Sequence, residues 1–481
     1  MPRNAASTFD PLVVGLGLVL ALTAYRLALL PAATADLFVD ETQYWQWGQA
    51  LDWGYYSKPP LIGWVIRAVT ELAGSDSAFW IRAPGAVFHA ATALLIIGAA
   101  SEIAPRGAAV WAGLAYLCLP FVSVGAALIS TDTILLPFYA SALWLWLRLT
   151  RAPSAMQAGL LGLCLGLGFL AKYAAIYFGL CATLAALTIP QARIAWRDLA
   201  LALAVFALVI SPNVIWNLQN DLVTLSHTAD NVNWLGEALQ LRPDRAWEFF
   251  GSQFFVMGPL LFAAFLWAVW QALRGTDWRA KFLVVLSLPI LLLVVGQAFL
   301  SRAYANWAVT AYVAGIILTV LIFYDRARLL LVVAMVLNLA LAFALPLVLT
   351  DAERWQAVDG ERLLLRRYVG RADTSAWILS MANREGVAAI VSGHRDLLAD
   401  LFYAARDSEI QIFAVPTSGP PEHFYAQRYP LPATFTGPVL YADFNLPGCD
   451  STAQDSSAAA PAYRGASVEA AVMEAWCWAR P

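Results

Sequence analysis

The sequence predicts an all-α polytopic membrane protein with about eleven transmembrane helices and a small C-terminal α/β domain. Three observations predict it. Of the 481 residues 60% are hydrophobic and 13% charged, with a mean hydropathy of +0.63, whereas an ordinary soluble domain is about a quarter charged. Apolar runs near the ~20 residues a spanning helix needs recur from Pro11 to residue 349. Arg and Lys cluster in alternate short loops between those runs. The net charge of −3, without a basic block, predicts no nucleic-acid partner.

The first apolar run, Pro11 to Pro31, exceeds the roughly 7–15 residues of a signal-peptide core and reads as a retained helix. The following spans are 83–101, 107–127, 133–148, 155–171, 173–190, 199–217, 252–273, 282–300, 304–323 and 329–349. Only Lys172 interrupts 155–190, which is too long for one comfortable crossing. Arg3, Arg106, Arg148 with Arg151, Arg193 with Arg197, Arg274, Arg279 with Lys281, and Arg326 with Arg328 share one face only if this segment crosses twice. That face is then the cytoplasm, with the N-terminus inside. Residues 350–481 follow the last span on the opposite, non-cytoplasmic side.

The expected organisation is a membrane body over 1–349, with outer loops 32–82 and 218–251, and a soluble domain over 350–481. The segments 36–53 and 232–250 mix aromatics with charges, as interfacial amphipathic helices do. In the tail, Val387–Ser392 and Glu409–Val415 read as strands and Ser375–Asn383 and Asp396–Ala405 as helices. Cys118, Cys164 and Cys181 lie in apolar runs and read as packing residues. Cys449 and Cys477 lie in the tail, where a disulfide and two free thiols are equally compatible with the sequence.

The ionisable residues of the outer segments are the candidates for chemistry. Asp40 and Glu41 are adjacent carboxylates just beyond a membrane helix, followed by Tyr44. A carboxylate partly desolvated by aromatics can take a proton from an attacking nucleophile; the plain alternative is a solvated acidic pair. Gly54-Tyr55-Tyr56-Ser57-Lys58-Pro59-Pro60 places a cation before a stiff extended turn, suited to an anionic leaving group; the alternative is a snorkelling lysine. Arg82 is equally a structural and a phosphate-binding candidate. Asp132 sits in Ser130-Thr131-Asp132-Thr133 and is either a helix cap or a second carboxylate of the site. Lys172, the lone charge of a long apolar run, is a functional candidate against a headgroup-reaching turn residue. Arg302 and Tyr304 occupy an outer turn, where an aromatic belt with a snorkelling Arg is the alternative. His227 ranks lowest, since a lone His is more often structural.

Asp40, Glu41, Lys58, Asp132, Lys172 and Arg302 all map to one membrane face under a topology fixed by other residues. Carboxylates with cations at an interface suit an anionic lipid donor. No P-loop, zinc-helix motif or GxSxG elbow is present, so the substrate brings its own energy.

These motifs carry a resemblance. Asp40-Glu41-x-x-Tyr44, Gly54-Tyr55-Tyr56-x-Lys58-Pro59-Pro60 and Arg82-x-Pro84 resemble the lipid-donor glycosyltransferases of the GT-C fold. The nearest branches are the bacterial lipid A aminoarabinose transferases and the protein O-mannosyltransferases. Thr131-Asp132, Leu170-Ala171-Lys172 and Arg302-x-Tyr304 follow in that family's order, and the resemblance covers roughly residues 10–320. It implies transfer of a sugar from a polyprenyl-monophosphate donor to an envelope lipid, glycan or protein acceptor. It places Asp40 on the acceptor with Glu41 beside it, and Lys58, Lys172, Arg302 and Tyr304 on the donor phosphate. From the residues themselves, Asp132 joins the catalytic candidates, Arg82 the phosphate-binding ones, and Tyr44, Tyr55, Tyr56 and His227 are candidates for acceptor or sugar. No cofactor is required; a divalent metal at Asp40 and Asp132 stays open as an alternative. The competing class is a secondary transporter or flippase of a lipid-linked or anionic substrate. Such proteins usually gather charge at the midplane and often show internal repeats, and neither is seen here.

Overall fold

A computed structural model describes residues 10–232, 241–359, 364–445 and 468–474. Cys449 and Cys477 lie outside the described residues, as do residues 233–240 of the second outer loop. The chain divides into two compact units. The first holds Met1–Pro31, Lys58–Ile62 and Arg82–Leu347; the second holds Ala32–Ser57, Gly63–Ile81 and Val348–Pro481. Residues 32–57 and 63–81, part of the expected first outer loop, group with Val348–Pro481 in the second unit.

In the first unit every expected apolar stretch is helical, and several are broken where the sequence supplies a reason. The stretch 107–127 divides into Arg106–Leu117 and Pro120–Gly125, because Pro120 has no N–H to continue a helix and starts a new one. Likewise 282–300 divides into Trp278–Val285 and Leu288–Leu300, with Pro289 in the first turn of the second. The stretch expected at 252–273 is instead two helices, Pro243–Val256 and Pro259–Arg274, bent by 110°. Gly258 makes the bend at φ +94°, a conformation that L side chains rarely adopt, and Asn338 Nδ2 donates to the Met257 carbonyl at 2.9 Å. Among the described residues five helices are long and apolar enough to cross a bilayer, or six if the bent pair is one span.

Packing separates lipid-facing from core-facing sides. The Ala155–Ala171 helix lies against Trp196–Gln219 at Gly162, where an added Cβ would stand 2.3 Å from the Ala202 carbonyl oxygen. Small residues permit such close approach where the hydrophobic effect gives helices little reason to associate. The other face of Trp196–Gln219 leaves Leu203, Leu208 and Ile215 more than half exposed. A row of that kind suits contact with acyl chains.

The second unit contains a four-stranded sheet of order β2-β1-β3-β4, with β1 Ala389–Ser392, β2 Gln411–Ala414, β3 Pro438–Asp443 and β4 Glu469–Glu474. β1 is parallel to β2 and β3, and β3 pairs antiparallel with β4 from Pro438 opposite Glu474 to Asp443 opposite Glu469. The helix Arg395–Ala404 makes the β1-to-β2 crossover, as parallel neighbours require. Ala389, Val391, Val439, Tyr441, Ala471 and Met473 form the core of one face. The helix Val39–Gln49 of the first loop packs along Arg395–Ala404.

Candidate active site

Within the second unit the Val39–Gln49 helix sorts the acidic pair into two roles. Glu41 is buried, and its Oε2 accepts from the Phe38 backbone N–H at 2.9 Å, so this carboxylate returns to the start of its own helix. Asp40 faces outward from the first turn. Its Oδ1 accepts from Arg395 Nη2 at 2.6 Å, and Arg395 Nε donates to Gln43 Oε1 at 2.7 Å. Arg395 opens the crossover helix, whose N-terminal N–H is capped by His394. Burial pushes the guanidinium pKa down, but the charge and hydrogen bond of Asp40 outweigh it and hold the pKa above its usual value.

Two further ties fix the same elements. Arg371 and Asp400 form a buried ion pair at 2.8 Å. Asp36 Oδ2 accepts from the backbone N–H of Arg371 at 2.8 Å and of Ala372 at 3.3 Å, at the positive end of the Arg371–Glu385 helix. Burial raises the Asp36 pKa, and those two N–H bonds limit the rise.

The expected sugar-facing tyrosines are largely occupied in the fold. Tyr44 is buried with its ring 5.2 Å from Trp47. Tyr55 stacks on Trp47 at 4.7 Å with parallel planes, and its hydroxyl donates to the Trp47 carbonyl at 2.8 Å. Burial pushes the Tyr55 hydroxyl pKa up. Tyr56 Oη donates to the Pro421 carbonyl at 2.9 Å. Of the three, Tyr56 is the half-buried one.

In the first unit Ser130 caps the Thr131–Leu149 helix, its Oγ accepting from the Thr133 N–H, which leaves Asp132 in the first turn for other partners. Asp132 Oδ1 accepts from Lys172 Nζ at 2.7 Å and Oδ2 from Asn306 Nδ2 at 2.6 Å. The Asp132 side chain is 4% exposed and that of Lys172 17%. Lys172 stands in extended backbone at the end of Ala155–Ala171, so the break in the apolar run presents its side chain to Asp132. Asn306 lies in the short turn Ala305–Ala308, directly after Tyr304. The Arg302 guanidinium lies 5.9 Å over the exposed Tyr304 ring. Lys58 is half-buried ahead of buried Pro59 and Pro60, Arg82 is 2% exposed inside the Ala78–Ser101 helix, and His227 is half-buried in Val223–Val232.

Sequence reasoning missed Arg395, Asn306 and the Asp36, Arg371 and Asp400 ties. Arg395 is 355 residues from Asp40, and no local pattern links them. Among the described residues no three His, Cys, Asp or Glu side chains gather closely enough to ligate an ion.

A family model for dolichyl-phosphate-mannose-protein mannosyltransferase matches residues 57–216. The chain is 44% identical over 428 residues to the lipid A galacturonosyltransferase RgtD of Rhizobium johnstonii, covering 89% of this chain and 90% of that protein. The fold matches crystal structures of ArnT from Cupriavidus metallidurans in the apo state and bound to undecaprenyl phosphate. Both give a TM-score of 0.62 at 16% identity, over 89% of this chain and 92% of the apo chain, and 90% and 93% for the bound one. The chain belongs to the family of that lipid A galacturonosyltransferase, the membrane glycosyltransferases of the GT-C fold.

Proposed function

We propose that this enzyme transfers a uronosyl residue, galacturonosyl first among them, from a polyprenyl monophosphate to lipid A on the periplasmic face of a bacterial inner membrane. The observation that carries the reading is the near full-length likeness to a lipid A galacturonosyltransferase. The proposed topology puts the N-terminus in the cytoplasm and residues 350–481 in the periplasm, in line with the alternating basic loops.

The proposed chemistry is one displacement. The acceptor oxygen forms a bond to the anomeric carbon, the bond from that carbon to the phosphate oxygen breaks, and polyprenyl monophosphate leaves. Asp40 takes the acceptor proton, for which its outward position in the first helical turn suits it. Lys58 and Arg302 are assigned to the leaving phosphate, with Tyr304 as a hydroxyl donor and Arg82 as support; a well-placed donor of this kind is worth about 3–4 kcal/mol. Lys172 is assigned through Asp132: the pair holds the Asn306 turn, which follows Arg302 and Tyr304 in the chain. Tyr56 and His227 are assigned to sugar or acceptor. Tyr44 and Tyr55 support the Val39–Gln49 helix, and Glu41 fixes its start.

The test is reconstitution of the purified protein in proteoliposomes with lipid A and polyprenyl-phosphate galacturonate, read by lipid mass spectrometry. A donor-dependent galacturonosyl adduct on lipid A is expected. An adduct formed only on a glycan or protein acceptor would refute the lipid A assignment, and absence of any adduct would refute the proposed pair of substrates.

A further inference from the structure

Arg395 reaches Asp40 from the opposite end of the sequence, and the way it does so decides what the rest of its guanidinium is available for. A guanidinium carries five N–H groups in one plane. They form two edges that match a carboxylate: the side edge, Nε with one hydrogen of Nη2, and the terminal fork, the other hydrogen of Nη2 with Nη1. The side edge is consumed. Nε donates to Gln43 Oε1 at 2.7 Å and Nη2 to Asp40 Oδ1 at 2.6 Å. Both partners lie on consecutive turns of one helix, so they fix the plane as well as the position of the group. Of the terminal fork, Nη1 has no hydrogen-bond partner among the described residues, and 35% of the side chain is exposed. The backbone behind it is also held. Arg395 opens a helix that begins directly after β1, and the buried Arg371–Asp400 pair anchors the next turns of that helix.

We propose that Arg395 is the specificity-determining residue for the donor sugar, its terminal fork receiving the carboxylate of a uronosyl residue while its side edge remains on Asp40 and Gln43. This rests on the uronosyl-transfer reading and deepens it. A uronosyl group differs from the corresponding hexosyl group by a carboxylate in place of a hydroxymethyl. The discriminating group must therefore pair with an anion, and a planar fork does so with two parallel hydrogen bonds. One guanidinium can serve two carboxylates only if they occupy different edges, which is the arrangement Asp40 and Gln43 leave open. The same contact places the sugar beside the assigned base, so selection and positioning fall to one side chain. Orientation by Gln43 matters as much as charge, because a guanidinium free to rotate would offer Asp40 its terminal fork.

The experiment compares polyprenyl-phosphate galacturonate with polyprenyl-phosphate galactose, which differ only at that carbon, on the full-length reconstituted protein. The readout is the ratio of kcat/KM for the two donors within each variant, so a loss of folded protein cancels. The wild type is expected to favour the uronosyl donor by at least about tenfold. Arg395→Gln is expected to bring the ratio near one, chiefly through KM for the uronosyl donor. Arg395→Lys, which keeps the charge but not the planar fork, is expected to fall between. Equal loss with both donors, leaving the ratio at its wild-type value, would overturn the proposal and leave Arg395 as a tie to Asp40 alone. A wild type that transfers galactose and not galacturonate would overturn the uronosyl-transfer reading itself, a different result from an unchanged ratio.

Discussion

Replacing Lys172 by Met removes the cation from a carboxylate that has little access to water. Asp132 is 4% exposed and accepts one bond from Lys172 at 2.7 Å and one from Asn306 at 2.6 Å. Breaking a buried pair by deleting one member costs about 3–5 kcal/mol, because the surviving charge is stranded. The Asn306 bond, to a charged acceptor, survives in the variant and contributes about 1.5–3 kcal/mol, which places the expected loss at the low end, about 3 kcal/mol. Removing both charges, as Lys172→Met with Asp132→Leu, takes away the stranded group and should restore about 2 kcal/mol of that loss. The assay is thermal unfolding of the detergent-solubilised protein in a double-mutant cycle. The expected order of midpoints is wild type, then the double variant, then Lys172→Met. A double variant that loses the sum of the two single losses, with a coupling under about 0.5 kcal/mol, would refute the ion pair as the element that holds the Asn306 turn.

Other expectations follow from single groups. His423 is held neutral: Nδ1 accepts from the Ala426 N–H, Nε2 lies 3.1 Å from the Gly393 carbonyl, and burial lowers its pKa from 6.5. The unfolded chain therefore binds the extra proton first, so this contribution to stability is full above about pH 6.5 and is lost as pH falls below it. The unfolding midpoint followed from pH 7.5 to 5.5 should fall less in His423→Asn than in wild type. Glu41→Gln should cost about 1 kcal/mol through the weakened helix start, with a transfer rate within a few-fold of wild type. Gly162→Ala should lower the unfolding midpoint by an amount equivalent to about 1–3 kcal/mol, since its Cβ would meet the Ala202 carbonyl of the neighbouring helix. Asp52→Asn, which weakens a part-exposed pair with Arg428, should change stability by less than about 1 kcal/mol.

The membrane helices were legible because apolar length and basic loops are local signals. Lys172 is the clearest case: a single charge in a long apolar run marked a break, and the chain does break there into Ala155–Ala171 and the turn at Tyr173–Ala175. Less legible were the interruptions inside the stretches 107–127 and 282–300, although Pro120 and Pro289 signal them. The bend at Gly258 depends on Asn338, 80 residues away, and hydropathy cannot report it. In the tail the first strands were readable as short apolar runs, whereas β4 is alanine-rich and acquires its register only from β3. The acidic pair was visible as two adjacent residues, but their division into a helix-start carboxylate and an outward one depends on helical phase. Pairings between distant segments, Asp40 with Arg395 and Asp132 with Asn306, had no signature because each partner is an ordinary polar residue in its own surroundings.

The measurement that bears most directly on the account is the transfer rate of Asp40→Asn against wild type, in reconstituted protein whose unfolding midpoint matches the parent. Loss of a positioned general base predicts a rate lower by about 100-fold or more with donor KM little changed. A wild-type rate in this variant would contradict the assignment of Asp40 as the base and would move that role to Glu41 or Asp132.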